Sequence, residues 1–212
     1  MKPDRARVRA FFAARAAHWD RRFPDDGPRY TAAVAELAPP EGGAVLDAGC
    51  GTGRALPALR SAVGPRGTVL GIDLTPEMLE QASRAGRHGS GHLAVADVAR
   101  LPLRSASLDA VFAAGLISHL PDPGANLREL ARVVRPGGRL ALFHPVGRAA
   151  LAARKGRTIT ADDLRAEPNL RELLARSGWR MLCYEDRDDR FLTLAARLPT
   201  GPEGPRPARG GG

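Results

Sequence analysis

The run Val45-Leu46-Asp47-Ala48-Gly49-Cys50-Gly51-Thr52-Gly53 restricts the fold more than any other part of the chain. A short apolar strand candidate enters a turn with glycine at alternate positions, and a helix-forming stretch follows from about Arg54. Strand, glycine turn and helix in that order form the opening unit of a parallel sheet with helices on both faces. Glycines in such a turn let the backbone approach a ligand closely. A dinucleotide fingerprint, G-x-G-x-x-G, would place its third glycine at position 54, where Arg54 stands. The carboxylate of Asp47 at the mouth of the loop would repel a pyrophosphate and attract a positive group. The turn therefore points to a cationic, phosphate-free ligand.

The rest of the middle region repeats the alternation. Apolar runs at 44–47, 68–73, 92–96, 108–113 and 139–143 predict five parallel strands, each bounded by Gly, Pro or Asp. Thr75 before Pro76, and Asp122 before Pro123, have the form of helix starts. Leu127, Leu130, Ala131 and Val134 share one helical face, which Pro136, Gly137 and Gly138 are expected to end. After a polar stretch, 145–163, the spacing predicts a helix over 169–176 with Leu170, Leu173 and Leu174 inward. Strands over 180–185 and 191–197, joined by the polar link 186–189, predict a closing antiparallel hairpin. Helices are expected at 8–19 and 31–37, outside the sheet.

Three further features lie at strand ends on the same edge. Asp73 ends the second strand 20 positions beyond Gly53 and can accept hydrogen bonds from two ribose hydroxyls. Asp97 follows the third strand and can accept from an adenine amino group. Ala113-Ala114-Gly115-Leu116-Ile117-Ser118-His119-Leu120 follows the fourth. These loops and the glycine turn converge where the strand order of an open α/β sheet reverses, the usual ligand crevice.

At these residues the chain resembles the class I S-adenosylmethionine-dependent methyltransferases, in the branch similar to the ubiquinone/menaquinone-biosynthesis small-molecule enzymes. The resemblance runs from about Ala44 to Phe143. Beyond the glycine turn it rests on Gly71-Ile72-Asp73-Leu74-Thr75-Pro76-Glu77-Met78-Leu79, Leu101-Pro102-Leu103 with Leu108-Asp109, His119-Leu120-Pro121-Asp122, and Glu129-Leu130 with Arg135-Pro136-Gly137-Gly138-Arg139-Leu140. It implies a doubly wound, Rossmann-like, seven-stranded α/β sheet with an antiparallel last strand. It also implies S-adenosyl-L-methionine as cofactor, held by Asp47, Ala48, Gly49, Cys50, Gly51, Thr52 and Gly53 in the first turn. Asp73, Leu74 and Met78 would follow at the ribose side, Asp97 and Val98 at the adenine, and Ala114 and Gly115 beyond the fourth strand. No metal is implied. The domain organisation expected is a helical lid and substrate region over 1–40, the cofactor-binding domain over 41–198, and a disordered Pro/Gly-rich tail over 199–212.

Methyl transfer needs alignment in a water-poor pocket more than it needs a reacting side chain. A hydroxyl or ammonium acceptor adds the need for a base, and the candidates are His144, His119, His18 and Tyr30. The aromatic group Phe11, Phe12, Trp19, Phe23 and Tyr30 has the character of a lid over a partly apolar acceptor. Asp109 reads as a turn or helix-contact acid, and Cys50 as a small filler residue.

Composition bounds the remaining classes. A chain of 212 residues suits one core, and no apolar run approaches the ~20 residues of a membrane span. The two cysteines form neither a disulfide framework nor a zinc pattern, which fits a reducing, cytoplasmic setting, and no export signal is read. The formal charge of +9 could suggest nucleic acid, but the basic residues are scattered, almost all arginine, and only 5% of residues are aromatic. A nucleic-acid methyltransferase would also carry an Asn/Asp-Pro-Pro-Tyr or Pro-Cys element after the fourth strand, where Leu116-Ile117-Ser118-His119 stands. A small-molecule acceptor is therefore expected, the alternatives being a non-catalytic cofactor-binding regulator or a nucleic-acid methyltransferase. Oligomeric state is not legible.

Overall fold

Successive side chains along the central strands go to opposite faces of one sheet, and both faces are apolar. In the computed structural model, which describes residues 4–22 and 26–199, seven strands form that sheet: β1 Ala44–Ala48, β2 Thr68–Asp73, β3 His92–Val95, β4 Leu108–Ala114, β5 Val134–His144, β6 Trp179–Arg187 and β7 Arg190–Arg197. Their spatial order is β3-β2-β1-β4-β5-β7-β6; the first five are parallel, and β7 is antiparallel to both β5 and β6. Arg187 pairs with Arg190, so the hairpin loop is Asp188 and Asp189 alone. The sheet class, the parallel strands and the closing hairpin follow the sequence reading.

The helices are α1 Arg5–Ala13, α2 Gly27–Leu37, α3 Leu56–Val63, α4 Pro76–Arg84, α5 Pro123–Val133, α6 Arg148–Arg154 and α7 Glu167–Arg176. On one face Leu46, Val111 and Leu140 of the sheet meet Leu127 and Leu130 of α5 and Leu170 and Leu174 of α7. On the other, Val45, Phe112 and Phe143 meet Val34 and Leu37 of α2 and Leu56 and Leu59 of α3. Full burial of side chains this size contributes about 1.5–3 kcal/mol each. Trp179 is wholly buried beside α5, and its ring N–H donates to the Leu127 carbonyl at 2.9 Å.

Several local expectations are corrected. The first helix stops at Ala13 and continues as two short 3₁₀ turns, Ala16–His18 and Asp20–Arg22, which bring Asp20 against the glycine turn. Thr75 stands at the cap position of α4, but its side chain makes no capping bond; the Asp73 carboxylate instead accepts its backbone N–H. Asp122 does cap α5, accepting from Ala125 N–H at 2.9 Å. That helix ends at Val133, ahead of Pro136 and the glycines, because Val134 already pairs with Leu108 in the sheet. The polar stretch contains α6, which buries no residue and so has no apolar stripe to betray it. Residues 200–212, and Phe23 of the aromatic group, lie outside the described residues.

Among the described residues, no helix is long and apolar enough to cross a membrane, and no group of three or more His, Cys, Asp or Glu side chains could hold a metal ion.

Candidate active site

Strand order reverses between β1 and β4, and the loops at their carboxyl ends, with those of β2, β3 and β5, surround one crevice. Asp47 pairs in register with Gly71 on β2, two residues before Asp73, so both carboxyls lie on the same face of neighbouring strands. Asp47 is fully buried, its Oδ2 has no hydrogen-bond partner, and burial, then the charge of Asp73, push its carboxyl up to about 8. Asp73 is also raised by burial, but less freely, because backbone N–H groups of Thr75 and Gly51 each donate to it at 2.8 Å. Glu77, in the first turn of α4, leaves Oε2 buried without a partner as well. The crevice thus holds, in Asp47, a buried carboxyl with an unpartnered oxygen that keeps its proton at neutral pH.

The glycine turn is shaped around that carboxyl. Gly49 and Gly51 have φ of +66° and +55°, the left-handed region that costs other residues about 1–2 kcal/mol. A Cβ on Gly51 would meet nothing within 4 Å, so its open side is room for a ligand, whereas one on Gly49 would press Leu116 Cδ1 at 2.8 Å. Between them Cys50 donates its N–H to the Ile72 carbonyl, and burial pushes its thiol up, which makes it a filler. Ala48 and, in α4, Met78 are buried, while Leu74 is half-buried.

Two candidates are engaged by the N-terminal segment. The Thr52 hydroxyl, expected to face the cofactor, donates to Asp20 at 2.6 Å, and Asp20 also takes Arg87 at 2.6 Å. Asp97 accepts from Ala99 N–H at 2.8 Å and pairs with Arg5 of α1 at 3.0 Å, above buried Val98. Asp26 faces Arg54 at 3.4 Å. Phe12 packs edge-on against His119, ring centroids 5.0 Å apart, and against Trp19 at 5.4 Å. Phe11 is exposed, so only part of the aromatic group faces inward. Sequence reading missed Asp20, Asp26, Arg87 and Glu77, since partners 28 to 67 residues apart leave no local signal.

At the β4 and β5 ends, a cleft is lined by Gly115, Leu116, Ser118, Phe143, His144 and Arg165, with Ala114 just before it. Gly115 N–H donates to the Phe143 carbonyl at 2.8 Å, which ties the two loops together. His144 Nδ1 lies 2.8 Å from the Val146 carbonyl and 3.1 Å from its N–H; the nearer carbonyl assigns the proton to Nδ1 and the lone pair to Nε2. The Cδ2 beside Nε2 faces Gly115, and burial, with Arg165, Lys155 and His119 nearby, holds the imidazole down at about 4. His119 is also lowered, by burial and then Lys155 and Arg165. His18 is exposed and contacts Arg21, away from the crevice, while Tyr30 packs among Phe112 and Phe143 with its hydroxyl pushed up by burial. Neither suits a base. Asp109 is structural, accepting from Ala44 N–H at 2.7 Å and pairing with Arg135.

Comparison with known proteins gives a consistent result. A family model described as a methyltransferase domain matches residues 46–142. An O-methyltransferase, cnsE of Penicillium expansum, is 32% identical over 170 residues, covering 76% of this chain and 60% of that protein. The 27-O-demethylrifamycin SV methyltransferase of Amycolatopsis mediterranei is 40% identical over 119 residues, 54% of this chain and 43% of that one. The crystal structure of a SAM-dependent methyltransferase from Aquifex aeolicus superposes with a TM-score of 0.65 at 25% identity, covering 78% of this chain and 87% of that one. The chain spans 30% to 60% of the length of the first curated relatives it matches.

Proposed function

We propose that the chain is a class I S-adenosylmethionine-dependent methyltransferase, a reading supported by the methyltransferase-domain match and the Aquifex aeolicus likeness, and that it methylates a small-molecule acceptor held at the mouth of the cleft between the β4 and β5 ends. The observation that carries this reading is Asp47: a wholly buried carboxyl with an unpartnered oxygen beside an open glycine turn. Burial keeps this carboxyl protonated in the free protein, and an adjacent ammonium or sulfonium favours its charged form where a phosphate would not.

The residues present fit the cofactor. When bound, it supplies a methyl group on a positively charged sulfur, a carbon already activated for displacement. Asp47 and the Gly49–Gly51 backbone hold the methionine end, and Asp73 keeps lone pairs for ribose hydroxyls beyond those its two backbone donors use. Asp97 and Val98 face the adenine, with Met78 as apolar wall. Residues 4–22 act as the lid: Arg5, Phe12 and Asp20 reach three different loops and exclude water from the crevice.

His144 is the base for a hydroxyl acceptor. With Nδ1–H donated to the Val146 carbonyl, Nε2 carries the lone pair, the ring lines the cleft, and its low pKa keeps it neutral at physiological pH. His119 packs beneath Phe12 and shapes the lid side of the site.

Calorimetric titration with S-adenosylmethionine, on the wild type and on Asp47→Ala and Asp73→Ala, tests the cofactor site. Binding lost in both variants is expected; no affinity in the wild type would overturn the assignment. Turnover is scored by release of S-adenosylhomocysteine across a panel of acceptors, and a chain that binds the cofactor without methylating any of them would be a regulator instead.

A further inference from the structure

The cleft contains a charge that methyl transfer does not use. The Arg165 side chain is 15% exposed and lines the cleft with Gly115, Ser118 and His144. Among the described residues its guanidinium makes no hydrogen bond. The nearest carboxylate oxygen, Asp163 Oδ1, stands 3.7 Å from Nε and already accepts the Arg165 backbone N–H at 2.8 Å. The other oxygen of Asp163 faces Arg148 at 3.4 Å. Five donors are thus held in a largely covered place with little to bind.

The position of Arg165 is built. Tyr184 O–H donates to its carbonyl at 2.9 Å, the Asp163 carboxylate takes its N–H, and its Cζ lies 5.9 Å from the centre of the Phe191 ring, the floor of the same cleft. Lys155, at the end of α6, stands near enough to lower both His119 and His144, and it has no ion-pair partner among the described residues. The acids nearby do not cancel this excess, since Asp163 is shared with Arg148 and Asp186 is taken by Arg148.

We propose that the acceptor carries an oxyanion, a carboxylate or a phosphate, which the Arg165 fork grips at the mouth of the cleft while Lys155 supports it from the rim. The cleft itself, about 10 Å³, has room for no more than a water, so the carbon skeleton lies outside it beside Leu116 and Ser118, and the gripped end sets which atom of the acceptor faces His144. A planar guanidinium suits the paired oxygens of either group and orients them in a way a point charge does not. The proposal rests on the methyl-transfer reading for the word acceptor, but the oxyanion site itself does not depend on it.

Ligand-observed NMR on the described chain, with matched fragments as probes, tests this directly: aromatic carboxylates, aromatic phosphate monoesters, and neutral amides of the same shape. Oxyanions should bind at least about tenfold more tightly than their amides, and Arg165→Gln should remove about that factor. Lys155→Gln should weaken binding less, and the two oxyanion arms identify which group is preferred. Arg165→Lys keeps the charge without the fork and serves where the Gln variant does not fold; it should retain only part of the preference. Equal binding of amides, no binding of any oxyanion, or a preference untouched in Arg165→Gln and Arg165→Lys would overturn the proposal. S-adenosylmethionine titrated into the same samples separates the two readings: oxyanion binding without cofactor binding sinks the methyltransferase assignment alone, and the reverse sinks this one alone.

Discussion

Asp47 and Asp73 end neighbouring parallel strands on the same face, yet only Asp73 has its oxygens answered by backbone donors, from Gly51 and Thr75, while Asp47 keeps Oδ2 unpartnered. Asp47, pushed up to about 8 by burial and then by the charge of Asp73, therefore holds a proton at neutral pH until something positive arrives.

That relationship makes cofactor binding a proton-releasing event. With its carboxyl at about 8, Asp47 is mostly protonated in the free protein at neutral pH, and an adjacent cation favours the charged form. Calorimetry in two buffers of different ionisation enthalpy should show release approaching one proton below about pH 8. Affinity should rise with pH and level off above that point. An enthalpy independent of buffer would refute the role given to Asp47.

The same shift has the opposite consequence for the free fold. A folded-state pKa raised above the ordinary 3.8 means the native state binds more protons than the unfolded one between that value and about 8. The contribution of Asp47 to stability is complete below the lower value and is lost as pH rises through the upper one. Asp47→Asn should flatten that decline and melt higher at alkaline pH, by about 1 kcal/mol or more, while cofactor affinity drops at least about tenfold. Thermal melts across pH, with and without cofactor, check both halves.

Two glycines two positions apart should behave differently. Gly51→Ala places its Cβ in open space and costs only the left-handed backbone, about 1–2 kcal/mol, yet it fills the cofactor's room. Gly49→Ala adds a clash with Leu116, which lines the acceptor cleft, so acceptor KM should rise along with cofactor Kd. Melting curves beside steady-state kinetics distinguish the pair.

For a hydroxyl acceptor, His144→Gln should lower kcat by about 10²–10⁴ without changing cofactor affinity. Because burial holds His144 at about 4, with His119, Lys155 and Arg165 the charged groups facing it, the wild-type rate at saturating cofactor should stay level through the neutral range and fall only below about pH 4. A rate that instead falls near pH 6.5, the ordinary histidine value, would assign the base elsewhere.

Asp20→Ala removes the contacts to Thr52 and Arg87 that hold the N-terminal segment, proposed as a lid, against the glycine turn. Stopped-flow release of S-adenosylhomocysteine should speed up severalfold while the melting temperature changes little, since Asp20 is partly exposed. Unchanged release would mean the lid is held elsewhere.

The residues proposed to hold the cofactor could be singled out in the sequence because their signals are local. Gly49, Gly51 and Asp47 lie within five residues, Asp73 follows at the end of the next strand, and β2 falls at 68–73 as its apolar run predicts. The antiparallel β6 and β7 were readable for the same reason, a two-residue link between two apolar runs. The lid contacts were not, because Arg5 to Asp97 and Asp20 to Thr52 join residues that nothing in their own neighbourhoods marks. Helix α6 was invisible for want of a buried face.

What the sequence determined by itself is therefore the order of elements and the carboxylates at strand ends, since hydrophobic period and glycine turns act over a few residues. Only the tertiary structure decided which polar groups go unanswered. Asp47 and Arg165 are ordinary residues in the sequence; folding buries Asp47 with one oxygen unpartnered and brings the Arg165 guanidinium to the cleft with its nearest carboxylate 3.7 Å away.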